Sequence, residues 1–316
     1  MNIGIDMMGG DFAPLEAVLG LQEYFSSGET ISTLYCIGDE EQVKPLLALH
    51  SLDMANIVTV HAAQVIEMNE HPTKALKEKQ QSSIAIGFHL LANGKIDGFI
   101  SAGNTGAMLV GAMYSIKPIE GVLRPTIATV IPKLNGGTGL LLDVGLNADC
   151  KPEHLNQFAI LGGLYAKDIL GIQNPTIGLL NVGEEEGKGN LLAQATYPLL
   201  KENTRINFIG NIEGRDLFFN KADVVVCEGF TGNIILKLAE SLYDIAKERK
   251  LHEDSYMSRF HYENYGGTPV LGVKKPVIIG HGISNGKAFS NMILLAEKMI
   301  SSNICGEMVE SFRVND

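Results

Sequence analysis

Gly98-Phe99-Ile100-Ser101-Ala102-Gly103-Asn104-Thr105-Gly106 reads as a short apolar strand, a Gly-Asn corner and the first turn of a helix. Three further corners share its composition: Gly183-Glu184-Glu185-Glu186-Gly187-Lys188-Gly189-Asn190, Gly210-Asn211-Ile212-Glu213-Gly214-Arg215-Asp216 and Gly229-Phe230-Thr231-Gly232-Asn233. The first, second and fourth of these run into a helical pattern. Backbone N–H groups at a helix start lack intrahelical partners and carry partial positive charge. Glycine lets that backbone approach a ligand closely, so such corners are ready anion sites. For any single corner, a plain helix cap in an αβ turn is the equal alternative. Recurrence in one chain points to a pocket for a phosphate-bearing ligand.

Outward from these corners, short apolar runs alternate with amphipathic stretches. Strands are expected at 2–5, 33–37, 57–61, 98–101, 126–131, 139–143, 176–181, 206–209, 224–227 and 276–280. Helices are expected at 15–25, 40–49, 73–93, 105–113, 152–170, 191–201, 231–250 and 285–303. This alternation predicts an α/β fold: a mostly parallel, doubly wound sheet in an α/β/α sandwich, with ligands bound beyond the carboxyl ends of the strands. Asn135-Gly136 between two consecutive strands signals a hairpin that interrupts the parallel order. No repeat or linker divides the chain, so a single domain over 1–316 is expected. A polar, His- and Tyr-rich stretch at about 248–267, including His252 and Glu253, is expected to be an exposed excursion.

A chain of 316 residues, 45% hydrophobic and 19% charged, can bury a large core. Its net charge of −11, without a basic run, argues against nucleic-acid binding. Cys36, Cys150, Cys227 and Cys305 are far apart and form no CxxC pair, as expected of buried thiols in a reducing compartment. Residues 1–6 enter a strand pattern with no basic leader, and no run of 18 apolar residues occurs, so a cytoplasmic location is expected.

Several chemistries lack their signatures. GxGxxG is absent. Gly187-Lys188-Gly189 fails the P-loop pattern because Gly189 stands where a hydroxyl residue is required. GxSxG and HExxH are absent, and no metal site is expected. Lys188, held between glycines at a helix start, remains a candidate anion clamp, with a solvated charged turn as the alternative. His281 follows the last strand, where it can donate a proton or bind phosphate. Ser284 is the expected cap of the final helix.

Together these residues resemble a known family, the bacterial phosphate acyltransferases, which are acyl-carrier-protein:phosphate transacylases of phospholipid synthesis. The resembling motifs are Asp6-x-Met8-Gly9-Gly10-Asp11-x-x-Pro14, Ser82-Ser83, Ser101 to Ala107, Arg124-Pro125 and Leu142-Asp143-Val144-Gly145-x-Asn147. They continue through Leu180-Asn181-x-Gly183-x-Glu185-x-x-Lys188-Gly189-Asn190, Gly210 to Asp216, Gly229 to Asn233, Tyr265-Gly266-Gly267 and His281-Gly282. The resemblance implies a homodimer with a fold related to isocitrate and isopropylmalate dehydrogenases and to phosphotransacetylase. It implies conversion of acyl-carrier-protein thioesters and inorganic phosphate to acyl phosphate, with no cofactor and no metal. The acyl phosphate would pass to a membrane glycerol-3-phosphate acyltransferase.

On this reading Lys188, Asn233 and His281 are catalytic candidates. Ser101, Gly103, Asn104, Thr105, Gly106, Asn190, Arg215, Thr231 and Gly232 are candidates for binding phosphate or the oxyanion. Lys74, Lys77 and Lys79 are candidates for docking an acidic carrier, with a solvated helix face as the alternative. Three positions depart from the family: Gln81 replaces an aspartate, Glu228 replaces an aspartate, and the segment 237–265 is short and polar. That segment is expected to lack the apolar face an interfacial helix needs, so direct membrane binding is expected to be weak or absent, with the membrane reached through a partner. An acyl-CoA-dependent phosphotransacetylase, a decarboxylating dehydrogenase and a non-catalytic scaffold are the competing readings.

Overall fold

The computed structural model describes residues 1–28, 31–52, 54–251 and 254–313, which leaves His252 and Glu253 outside the described residues. Contacts divide the chain into two compact units, Met1–Ile119 with Tyr262–Cys305, and Glu120–His261 with Gly306–Asp316.

The first unit contains β1 (Asn2–Asp6), α1 (Leu15–Ser26), β2 (Thr33–Gly38), α2 (Glu40–Leu49) and β3 (Ile57–His61). It continues with α3 (Pro72–Glu78), α4 (Ser83–Ala92), β4 (Gly98–Ser101) and α5 (Thr105–Gly111), which runs on as a π turn over Ala112–Ile116. The second contains β5 (Thr126–Pro132), β6 (Thr138–Leu142), α6 (Pro152–Asp168), β7 (Thr176–Asn181), α7 (Leu191–Glu202), β8 (Asn207–Glu213), β9 (Val224–Val226) and α8 (Gly229–Glu248). The chain then returns to the first unit with β10 (Thr268–Leu271), β11 (Val277–Ile279) and α9 (Gly286–Ser301), and the last helix, α10 (Ile304–Phe312), belongs from Gly306 on to the second unit.

In the first unit the strand order is β3-β2-β1-β4-β11-β10, parallel except for β10 against β11. The order reverses beside β1, and right-handed crossovers then place the helices before and after the switch on opposite faces. β1 and β4 are accordingly buried on both sides, with Ile3, Ile5, Phe99 and Ile100 in the core. Phe99 meets Phe88 edge to face at 5.2 Å, and Gly87 lies against the Phe99 ring where a Cβ would overlap it. In the second unit the order is β5-β6-β9-β7-β8, with only the β5–β6 hairpin antiparallel. Leu140 to Leu142 and Val224 to Val226 form its buried centre under Phe158, Leu161 and Tyr165 of α6. The expected mostly parallel α/β fold and its interrupting hairpin are therefore present.

Four local expectations change. The helix expected at 73–93 is two helices, because Ser82 accepts from the Ala85 N–H at 3.3 Å and starts α4 afresh. β10 was hidden by Pro269, which lacks an N–H for a ladder. The cap of α9 is Asn285, whose Oδ1 accepts from Ala288 at 3.1 Å, whereas the buried Ser284 hydroxyl has no partner. The stretch expected as an exposed excursion is exposed at Lys247–Leu251 but then packs. Arg259 donates to the carbonyls of Lys133 at 2.9 Å and Gly137 at 2.5 Å, clamping the β5–β6 hairpin, and Phe260 is buried.

Candidate functional site

In the first unit the corner after β4 is built on Asp6 at the end of β1. The buried Asp6 carboxylate accepts from Ser101 Oγ at 2.6 Å and Met8 N at 3.0 Å, and Ser101 Oγ accepts from Gly103 N at 2.9 Å. Burial raises the Asp6 carboxyl above its ordinary range, opposed by those hydrogen bonds. Ser101 is thus an interior strut with both hydrogen-bonding roles filled. Asn104 is engaged as well. Its Oδ1 accepts from Ala107 N at 2.9 Å, and its Nδ2 donates to the carbonyls of Glu67 at 2.9 Å and Glu70 at 3.1 Å. Asn104 therefore ties the α5 start to the loop before α3. Thr105 and Gly106 lie beyond it, Thr105 exposed. His281 is half-buried, with its ring edge to face with Tyr262 at 5.0 Å. The loop that carries it is fixed by Asp11, whose N–H donates to the Gly282 carbonyl at 2.7 Å.

In the second unit three strand ends converge. Asp143, fully buried after β6, accepts from the backbone of Asn147 at 2.6 Å, Leu146 at 3.2 Å, Gly145 at 3.3 Å and Ile127 at 3.3 Å, and from Asn147 Nδ2 at 2.8 Å. This carboxylate-centred loop presents the Val144 carbonyl, which accepts from Asn233 Nδ2 at 3.2 Å. Gly232 packs against the same loop, and a Cβ there would overlap the Asp143 carbonyl oxygen. Glu228 caps α8: its Oε1 accepts from Thr231 N at 3.1 Å and from Thr231 Oγ1 at 2.5 Å. A carboxylate already holds the helix-start amide that the sequence offers to an anion.

After β7, Asn181 shapes the lysine loop. Its Nδ2 donates to the Lys188 carbonyl at 3.0 Å, and its side chain lies against Gly189, whose φ of +95° and lack of a Cβ the turn requires. Asn190 caps α7 by accepting from Ala193 N at 2.8 Å. Lys188 is exposed, with Glu185 4.0 Å away. Glu184 and Glu186 pair with Lys221 at 2.6 Å and Lys201 at 2.9 Å, so the acidic run is locally neutralised. Arg215 is exposed and pairs with Glu213. Gly189, Asn190, Glu228 and Thr231 line one cavity of about 340 Å³.

The structure thus brings Asn190 and Thr231 to one cavity, with Lys188 next to Gly189 of its wall and Asn233 two residues beyond Thr231 on α8, while Arg215 is exposed beside Gly214 of the cavity wall. Asp143, Asn147 and Asn181 are framework residues beyond the candidate set. Their signal was available, since each follows an apolar run and sits beside a Gly-containing turn.

The whole pattern has known counterparts. A family model described as fatty acid synthesis protein matches residues 1–307. A phosphate acyltransferase from Dictyoglomus turgidum is 43% identical over 98% of this chain and 97% of its own length. One from Aquifex aeolicus is 41% identical over 99% and 97%. Among solved structures, a phosphotransacetylase from Streptococcus pyogenes superposes with a TM-score of 0.68 at 16% identity, covering 95% of this chain and 94% of its own. A 4-hydroxythreonine-4-phosphate dehydrogenase from Klebsiella pneumoniae gives 0.54 at 11% identity, covering 94% and 97%. At those identities the structures speak for the fold alone. The sequence relatives speak for more: this chain belongs to the phosphate acyltransferase family of fatty acid synthesis proteins and is an acyltransferase.

Proposed function

We propose that the enzyme transfers the acyl group of an acyl-carrier-protein thioester to inorganic phosphate. A phosphate oxygen attacks the thioester carbon, the C–S bond breaks, and acyl phosphate and the carrier thiol leave. Phosphate is anionic at neutral pH and needs orienting more than deprotonating. A leaving thiol with a pKa near ~8.5 needs little acid assistance. The remaining task is to hold phosphate and stabilise the tetrahedral oxyanion, where one donor contributes roughly 3 kcal/mol.

The observation that carries this reading is that Asn190 and Thr231, from different corners, line one cavity, with Lys188 next in sequence to Gly189 of its wall and Asn233 two residues beyond Thr231. Lys188 supplies charge to phosphate, with Arg215 contributing from farther out. Asn190 and the second Nδ2 hydrogen of Asn233 supply neutral donors, Thr231 shapes the rim through its hydrogen bonds to Glu228, and Gly232 lets α8 sit against the Asp143 loop. In the first unit Ser101, Gly103 and Asn104 hold the geometry of their own corner, and Thr105, Gly106 and His281 are that unit's candidates for an anion or a proton transfer. The acyl phosphate serves a membrane glycerol-3-phosphate acyltransferase. The protein works as a homodimer. The support is α8, which exposes Phe230, Ile234, Leu238 and Ile245 on one stripe, and this apolar run also departs from the polar surface expected at its distal half. Sedimentation at the mass of one chain would remove the dimer.

The decisive experiment is mass spectrometry of acyl phosphate formed from palmitoyl carrier protein or palmitoyl-CoA, with and without phosphate. Phosphate-dependent product, faster from the carrier protein, is expected. A preference for palmitoyl-CoA would favour a phosphotransacetylase-type donor. In folded Lys188→Ala and Asn233→Ala proteins turnover should fall by about 10²-fold, the effect of losing one oxyanion donor; unchanged turnover would take those residues out of the site.

A further inference from the structure

The second unit's cavity has a polar rim and apolar walls. Asn181, Asn190, Glu228 and Thr231 stand where β7 ends and where α7 and α8 begin, and the remaining walls include Leu155, Leu179, Leu192, Cys227 and Ile235. Leu155 and Leu179 are each almost wholly buried, at 2% and 1% exposure. From Thr231 to Ile235 along α8 is about 6 Å, and from Asn181 to Leu179 along β7 is about 7 Å, room for several methylenes. Cys227 adds a neutral wall, since burial pushes its thiol far above the usual range. At the polar rim the side chains of Val182 and Leu191 are 80% and 86% exposed, so apolar surface continues outside the cavity. An inorganic anion alone has no use for such walls. A substrate with a reacting polar head and a hydrocarbon tail matches both rim and walls.

We propose that this cavity takes the first methylenes of the acyl chain, and that Leu155, Leu179, Leu192 and Ile235 decide which chains the enzyme accepts. The inference rests on the acyl-transfer reading above and adds to it the place of the tail. The thioester carbonyl lies at the Asn190–Thr231 rim beside Lys188. The alkyl chain runs inward along β7 and α8, and the remainder of a long chain lies against Val182 and Leu191.

Ala193 lines the cavity from α7, so Ala193→Phe fills it while keeping the backbone N–H that Asn190 caps. Turnover of palmitoyl and butyryl thioesters is measured side by side, together with binding of palmitate by fluorescence displacement and the thermal midpoint. The palmitoyl-to-butyryl ratio of kcat/KM is expected to drop tenfold or more in Ala193→Phe, in the range by which one or two methylenes discriminate in an apolar pocket. Leu179→Ala, which enlarges the cavity, should move the ratio the other way, and palmitate binding should weaken only in Ala193→Phe. An unchanged ratio and unchanged palmitate binding, in variants that fold, overturn the proposal. Absent turnover of every thioester by the parent protein, with palmitate binding still lost in Ala193→Phe, overturns the transfer reading and leaves the hydrocarbon site standing.

Discussion

Lys133, at the end of the β5–β6 hairpin, is 1% exposed and donates to the Leu217 carbonyl at 2.8 Å. Burial lowers its ammonium from 10.5 to about 8, partly offset by Asp223. Between those two values the unfolded chain binds a proton that the folded protein does not. Stability therefore rises with pH across that window. Relative to Lys133→Met, the parent protein should gain up to about 3 kcal/mol as pH climbs from about 8 to about 10.5. Urea unfolding of both proteins across that range checks it, and parallel pH profiles would refute it. No periodicity in the sequence marks this residue, because a lysine after a strand reads as surface. Lys188, by contrast, stands out in the sequence because glycines flank it, and it is exposed on the loop that carries Gly189 of the cavity wall.

At the scale of the element, α8 shows how a helix start is built by its neighbours. Glu228 caps it, Gly229 donates to the Asn147 carbonyl at 2.7 Å, and Gly232 lies on the Asp143 carbonyl. Gly232→Ala must push the first turn away from the Asp143 loop. Overpacking of this kind costs about 1–3 kcal/mol. It also moves Asn233 off the Val144 carbonyl, so a loss of turnover of tenfold or more is expected alongside the lower thermal midpoint. A variant with full activity would show that Asn233 does not need this seat. The sequence placed the corner and the helix within two residues of their observed bounds, since a strand-ending Gly and an amphipathic run are local signals. It did not show that Asn104 is fully engaged with the loop at 67–70, because that contact joins residues some 34–37 apart.

For the whole molecule, a net charge of −11 must be reconciled with the acidic carrier proposed as its acyl donor. Docking then needs local positive charge, which lowers the barrier to encounter and is screened by salt. Of the three candidate lysines, Lys79 is turned inward to Glu70 at 2.5 Å and the Val65 carbonyl at 2.7 Å, while Lys74 and Lys77 remain exposed on α3. Lys74→Glu with Lys77→Glu should raise KM for the palmitoyl carrier protein several-fold, leave kcat near the parent value and leave palmitoyl-CoA kinetics unchanged. An equal loss with both donors would show a structural effect instead of docking.

The sequence by itself determined the alternation of strands and helices, the hairpin and the Gly-Asn corners, because each is a matter of neighbours within a few residues. The family was legible for the same reason, as an ordered series of short motifs. Only the tertiary structure decided that the chain divides into two compact units, that residues 254–260 clamp a hairpin instead of standing exposed, and that Ser101 and Asn104 are struts. It alone gathered Leu155, Leu179, Leu192 and Ile235 around one cavity. Those outcomes depend on which distant backbone groups a side chain finds and on which apolar faces meet, and neither is written in the spacing of residues along the chain.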